Sequence, residues 1–466
     1  MNSKLVSLFC CLIMLVSFSG CTKVTQLVKD NQPTKAELLA EINEEHQRWE
    51  AAPAADPTPY LRHYDDPADA QKYFDYITDT YSEYDAEKEL TVEEAEEDVN
   101  YLFDAFYYDF AFYDYFGGHT VFDQAKAEIL QELQAKDSLT CKDLQEILVK
   151  HLTFIKDGHF NINHNFPAEK EIPFFFRQMM FVKTDSGYQD SKGKTVVSVD
   201  GHPDLDALFK RSISKEGYLV YYPVLLKKAK FDGTEWDKHV CDEQLTVHYA
   251  DGSTDVLTAD TWSQYYKDLP KGQNTDLRQT DGIPVFQFNS FEGSFLQEVN
   301  AAAAQMSDAA ISMLDLRSNV GGYEEVAHQW ITRYSRQRVQ GNGVRYDVVN
   351  PVSVAIQAHR WQTHDNILIL LSGKCSASSA EITMDLAYNL ENSLIIGENT
   401  NGCMIGNGGH VELPNSKCSV IMTSVCVYLL PEGADYFEEM RGLSPDIWVP
   451  AKEAETLAAK LMENLK

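Results

Sequence analysis

Between the apolar run NILILL and the helix-like run ITMDLAYNL, the chain carries Lys374-Cys375-Ser376-Ala377-Ser378-Ser379-Ala380-Glu381. A serine followed three residues later by a glutamate is the pattern of a helix N-cap, in which hydroxyl and carboxylate satisfy orphan backbone donors. A serine at a helix start after a buried strand can also be an acyl-transfer nucleophile. There the N–H of Ser379 can hold an oxyanion, and the helix dipole favours the developing negative charge. A second segment, Asp315-Leu316-Arg317-Ser318-Asn319-Val320-Gly321-Gly322, ends a strand-like run in a glycine pair. Either the pair makes a tight turn, or Gly321 lets a backbone N–H approach a substrate carbonyl and forms the other half of an oxyanion hole. A hydroxyl nucleophile needs a base. Of the 13 histidines, His159 in DGHF stands at an abrupt helix-to-strand break, with His119 in GGHT and His410 in GNGGH as rivals.

These residues need elements to position them. Residues 34–165 read as helices: LTVEEAEEDVNYLFDAFYYDF puts Val99, Leu102, Phe103, Phe106 and Phe110 on one face behind a Thr91/Glu94 cap, and TCKDLQEILVKHLTFI stops at Asp157-Gly158. Residues 166–275 change to short alternating strands with Asp-Gly turns, a β-rich module. From 276 to 452, apolar runs alternate with helix-length segments. That predicts an α/β core of βαβ units around a partly parallel sheet, with chemistry where loops leave the carboxyl ends of the strands. Residues 453–466 read as a terminal helix.

Composition narrows the partners. The chain has 466 residues, with 40 Lys plus Arg against 71 Asp plus Glu, a formal charge of −31. Nucleic acid is an unsuitable partner for such a surface. The start, MNSKLVSLFCCLIMLVSFSGC, has a short positive stretch, an apolar stretch too short to span a membrane, and small residues before Cys21. It predicts a signal peptide over 1–20 and a polar tether over 21–33, and SFSGC resembles a bacterial lipobox that would leave Cys21 lipidated. The expected location is the bacterial cell envelope, with an outer-membrane or periplasm-facing lipid anchor. Cys141, Cys241, Cys375, Cys403, Cys418 and Cys426 have no metal-finger spacing, and their pairing is open. No metal or organic cofactor is implied.

The series DLRSNVGG, SASSAE, LIIGENTNG and EEMRGLSPDIWVP resembles the carboxy-terminal processing, or tail-specific, serine peptidases across 283–450. The resemblance implies a ClpP/crotonase-like core, a PDZ-like identity for 166–275, and Ser378 as nucleophile. The best-known members use a lysine base just after the glycine that follows the next strand; Cys403 stands there. Relatives without that lysine are similar to the tricorn protease core and the retinoid-binding branch, and they imply His159 as base and Glu439 as the carboxylate that orients it. Where tricorn protease has a serine directly before its histidine, this chain has Gly158, and Glu438 is a second acidic residue beside Glu439.

The expectation is an exported serine peptidase, an endopeptidase acting on protein or peptide substrates through an acyl-enzyme on Ser378. His159 acts as base, Glu439 orients it, and Gly321 and Ser379 form the oxyanion hole. One alternative is a catalytically inactive ligand- or peptide-binding lipoprotein of the same fold. Another is a surface protein for glycan capture, suggested by 24 Tyr and 6 Trp.

Overall fold

From Ile283 onward the alternation of apolar runs and helices folds as one six-stranded sheet. In chain order its strands are β1 (Thr275–Thr280), β2 (Ile283–Phe288), β3 (Ile311–Asp315), β4 (Ile367–Ser372), β5 (Ser393–Gly397) and β6 (Ile447–Trp448). Their order across the sheet is the same as their order along the chain. β1 pairs antiparallel with β2, and every later pairing is parallel. The structure is a computed structural model that describes residues 25–465, except 51, 54, 231–240, 350–359 and 425. The expected signal segment and Cys21 lie outside the described residues.

Parallel neighbours need crossover connections, and helices supply three of the four here. Leu296–Met306 links β2 to β3, Glu324–Ser335 links β3 to β4, and Ser379–Ala387 links β4 to β5. All three cover one face, where Phe286, Leu314, Leu368, Leu370 and Ile395 meet Val299, Ala303, Val326, Trp330, Ile382 and Leu386. The strands are buried on both sides, which explains why β4 reads as an unbroken apolar run. The other face packs Val285, Met313, Ile369, Leu371, Leu394 and Ile396 against the C-terminal helix Ala454–Asn464.

One expectation changes here. Residues 34–165 do not form one helical body. The first amphipathic helix, Lys35–Gln47, sends Leu38 and Ile42 into the same layer as the C-terminal helix, on the sheet. His46 at its end bonds to Asp446 at 2.9 Å and stacks on Tyr388. An apolar stripe specifies burial but not which surface receives it. The helices Val92–Asp109, Gly118–Gln134 and Cys141–His151 do pack together, with Val99, Leu102, Phe106, Phe122 and Leu148 in a core. That core continues into the hairpin Gly408–Glu412/Ser419–Thr423 through Val411, Val420 and Met422. The module between them is β-rich, as expected: Lys170–Phe175 and Leu219–Ala229 are its longest antiparallel pair, and its one described helix is the single turn Leu205–Leu208.

The Asp315-Leu316-Arg317 run at the end of β3 has a structural role. Arg317 is buried and binds both oxygens of Asp315 (2.8 and 2.7 Å), the Ala451 carbonyl (2.8 Å) and Glu455 (2.7 Å). Arg278 on β1 binds the same two carboxylates. Two guanidinium groups hold Asp315 below the usual carboxylate range, against a burial that would raise it. The cluster ties the sheet edge and C-terminal helix together beneath the loop that carries Gly321.

Candidate active site

Three loops leave the carboxyl ends of β3, β4 and β5, and they converge. The β4 loop delivers Ser378 at the start of helix Ser379–Ala387 in a left-handed conformation, φ 53° and ψ −118°. For a residue with a side chain this costs about 1–3 kcal/mol, so the surroundings must hold it. Glu381, fully buried, supplies the hold. It accepts from the N–H of Ser378 (3.0 Å), Gly402 (2.7 Å) and Cys403 (3.0 Å), and from the Thr400 hydroxyl. The Glu381 N–H itself goes to the Ser378 carbonyl at 2.8 Å. The Ser378 hydroxyl makes no cap bond; it faces His159, with Nε2 to Oγ 3.1 Å.

His159 is fixed through its backbone. Its N–H donates to Asp157 Oδ1 (3.0 Å), whose Oδ2 accepts from Thr423 N–H (2.9 Å) in the hairpin. Its carbonyl accepts from Asn161 Nδ2 at 2.9 Å. Gly158 before it donates to Glu439 Oε1 (2.8 Å) and accepts from Lys170 Nζ (2.8 Å). Burial lowers the His159 imidazole below its ordinary value, partly countered by the charge of Asp157.

The structure brings Ser378 and His159 together and treats the expected third residue differently. Glu439 is half-buried, and its hydrogen bonds go to the backbone N–H groups of Gly158 and Ile405, not to the imidazole. The carboxylate nearest the ring is that of Asp157, with Oδ1 3.8 Å from His159 Nδ1; the Nδ1 atom is buried without a hydrogen-bond partner. Burial first, then the neighbouring charges of Asp157 and Glu381, push the Glu439 carboxyl well above the usual range. Glu438 is a surface residue paired with Arg441 at 2.5 Å. The rival histidines are elsewhere: His119 bonds to Asp65 and Tyr113, and His410 bonds to the Thr78 carbonyl and stacks on Tyr81.

The structure places Gly321 against Ser378 and Ser379, where the sequence reading expected oxyanion donors, but gives the Gly321 amide another partner. A Cβ on Gly321 would stand 2.8 Å from Ser378 Cβ and 3.3 Å from Ser379 N, so only glycine fits against the serine. Yet the Gly321 N–H already donates to Asn319 Oδ1 at 2.8 Å. Gly322 bridges to Phe291 through the Gly321 carbonyl and the Tyr323 N–H, so its own N–H faces the other way. The Gly322 carbonyl accepts from Ser379 Oγ at 2.6 Å, placing that peptide at the helix start. Ser379 N–H is the first of the helix and has no intrahelical acceptor.

Sequence reasoning missed Asp157, Lys170 and the linking role of Glu381. Asp157 was in view in the DGHF stretch, whereas a lone lysine at a strand start gives no signal. Gly158 and Cys403 are pressed against each other. A Cβ on Gly158 would lie 2.0 Å from the Gly402 carbonyl and 2.6 Å from Cys403 Cα and Cβ. The DGH turn is pressed onto the loop after β5, leaving no room for a side chain before the histidine. The buried lysines nearby donate to carbonyls: Lys170 to Gly158, and Lys374 to Thr400 (2.7 Å) and Arg441 (3.1 Å). Burial brings Lys374 down to about 7. Beyond Glu439 opens a cavity of about 710 Å³, lined by Tyr60, Phe112, Tyr115 and Phe437 among others; neither Ser378 nor His159 lines it.

Gly158→Ser is expected to cost at least 1–3 kcal/mol in urea unfolding, roughly the range for forced overpacking, because the obstructing atoms are backbone. Unchanged stability would mean that the two loops are not in fixed contact.

No curated protein matches the sequence. Among solved structures, the chain is similar to mature CPAF, with 12% identity over 80% of this chain and 96% of that one and a TM-score of 0.43. It is similar to the photosystem II D1 C-terminal processing protease, with 14% identity, 80% and 97% coverage and a TM-score of 0.36. A lipoprotein from Streptococcus agalactiae gives 11% identity, 80% and 95% coverage and a TM-score of 0.36. These likenesses are too remote to carry an assignment. The family profile of peptidase family S41 matches residues 282–449, the stretch that contains Gly321, Ser378, Glu381 and Glu439.

Proposed function

We propose that the chain is a serine endopeptidase in which His159 activates Ser378, a member of the branch that lacks the Ser-Lys dyad. The observation that carries this reading is the 3.1 Å approach of His159 Nε2 to Ser378 Oγ, between residues 219 positions apart on different structural units. Such an approach is the first geometric requirement of nucleophile and base. Ser378 Oγ bonds to the scissile carbonyl carbon while its proton passes to Nε2. The imidazolium then protonates the leaving amine as the C–N bond breaks. Water, deprotonated by the same imidazole, releases the acyl group and restores the hydroxyl.

Ser379 N–H supplies one donor to the oxyanion, and the Gly321–Gly322 pair supplies the other. Because Gly321 N–H is shared with Asn319, the second donor is assigned to Gly322. Orientation of the imidazole is divided: Asp157 faces Nδ1, and Glu439 fixes the Gly158 peptide that aims the ring. The missing acceptor at Nδ1 equally suits an idle site that only binds peptide, and one experiment separates the two. Purified protein is labelled with a fluorophosphonate probe and mapped by mass spectrometry. An adduct on Ser378 that is lost in His159→Ala supports the peptidase; folded protein without adduct supports the binder. With an active site, Asp157→Asn is expected to slow labelling at least as much as Glu439→Gln.

The acid side of the labelling profile has a definite sign. Only neutral His159 accepts a proton, and burial lowers its value below about 6.5. Labelling is therefore expected to fall to half only below pH 6.5. A half-maximal point above 6.5 would show that a carboxylate, not burial, dominates the ring.

The sequence of residues 1–33 supports a further assignment: export, cleavage after residue 20, and lipidation of Cys21 in the bacterial cell envelope. The partners are then a peptide substrate and a membrane reached through the lipid. Incorporation of labelled palmitate that disappears in Cys21→Ala is the expected result, and incorporation that survives the substitution would remove the anchor.

A further inference from the structure

The substrate side of this site carries apolar groups that the fold does not use. Among the described residues nine large apolar side chains stand exposed, and three of them, Tyr266 (61%), Val320 (61%) and Tyr323 (71%), surround the Ser378 loop. Lone exposed apolar residues need no explanation, but a group of them does.

Each is placed by a bond to the loops already described. Val320 and Tyr323 flank Gly321 and Gly322, of which the first abuts Ser378 and the second accepts from the Ser379 hydroxyl. Tyr266 lies in an extended stretch stitched to both active-site loops. Gln264 Nε2 donates to Cys375 Sγ at 3.0 Å, Cys375 Sγ donates to the Tyr265 carbonyl at 3.5 Å, and Lys267 N–H donates to Ser318 Oγ at 3.0 Å. The Tyr265 ring turns inward beneath Arg317, 4.3 Å from its guanidinium carbon, while Tyr266 turns outward.

On the serine-peptidase reading above, we propose that Tyr266, Val320 and Tyr323 form a binding surface for large apolar side chains on either side of the scissile bond, so that the substrates are extended peptides with aromatic or branched aliphatic residues there. Tyrosines on well-tied segments are rigid contact groups that lose little entropy on binding. Leaving such surface in water costs roughly 25 cal/mol per Å², which an apolar substrate side chain recovers. A formal charge of −31 disfavours acidic peptides on the same surface.

The test uses the full chain carrying Ser378→Ala, so that binding is read without turnover. Two dansylated peptides, identical except for a central Leu-Phe or Ser-Asn pair, are titrated by fluorescence anisotropy. The Leu-Phe peptide is expected to bind about tenfold or more tightly, within the discrimination two apolar groups provide. Tyr323→Ser and Tyr266→Ser, both solvent-exposed changes, should each reduce that ratio several-fold, and Val320→Ser serves if either fails to fold. Equal binding of the two peptides, or a ratio unmoved by these substitutions, overturns the proposal. A preserved preference in protein whose Ser378 takes no fluorophosphonate would sink the peptidase reading and leave the binding surface standing.

Discussion

A buried carboxylate that meets three backbone amides and a hydroxyl holds this site together. Glu381 accepts from Ser378, Gly402 and Cys403 N–H and from Thr400 Oγ1, so its oxygens join the loop after β4 to the loop after β5. Unpaired, a carboxylate so deep would cost several kcal/mol. Here backbone dipoles satisfy it, and in return the carboxylate fixes the left-handed turn that aims Ser378. Thr400 passes the constraint on, since its hydroxyl also accepts from Leu443 N–H at 2.6 Å.

His159 belongs to a different part of the chain, so its placement depends on how that part is pressed against the core. Gly158 lies against Gly402 and Cys403 too closely for any Cβ. The peptide is gripped on both sides, by Glu439 at its N–H and Lys170 at its carbonyl. Asp157 is tied to the hairpin that also packs against the helices, so helices, hairpin and core loops all meet at the imidazole. Burial first, then repulsion from the charges of Asp157 and Glu381, pushes Glu439 up, while Asp157 keeps its hydrogen bonds to Thr423 and His159 N–H.

The legible part of the sequence was the part governed by periodicity and by short-range chemistry. The βα alternation was readable because buried parallel strands are continuous apolar runs, and Ser378 and His159 were readable because each breaks a pattern at an element boundary. The first helix was not placed, because Leu38 and Ile42 announce an apolar stripe without naming the sheet that receives it. The roles of Asp315 and Arg317 were missed, since an acid and a base two residues apart look the same whether they grip a substrate or, as here, the Ala451 carbonyl and Glu455. The occupied Gly321 amide was invisible for a similar reason: it depends on the side-chain direction of Asn319, which no spacing encodes.

The helix Lys35–Gln47 and the helix Ala454–Asn464 cover the same face of the sheet. One is among the first described residues to leave the ribosome and the other among the last. Strands β1 to β6 follow one another along the chain, but one apolar side of their sheet is covered by two helices that lie far apart in sequence, which is a contact of high loop-closure cost. That face of the sheet is complete only when both helices are in place.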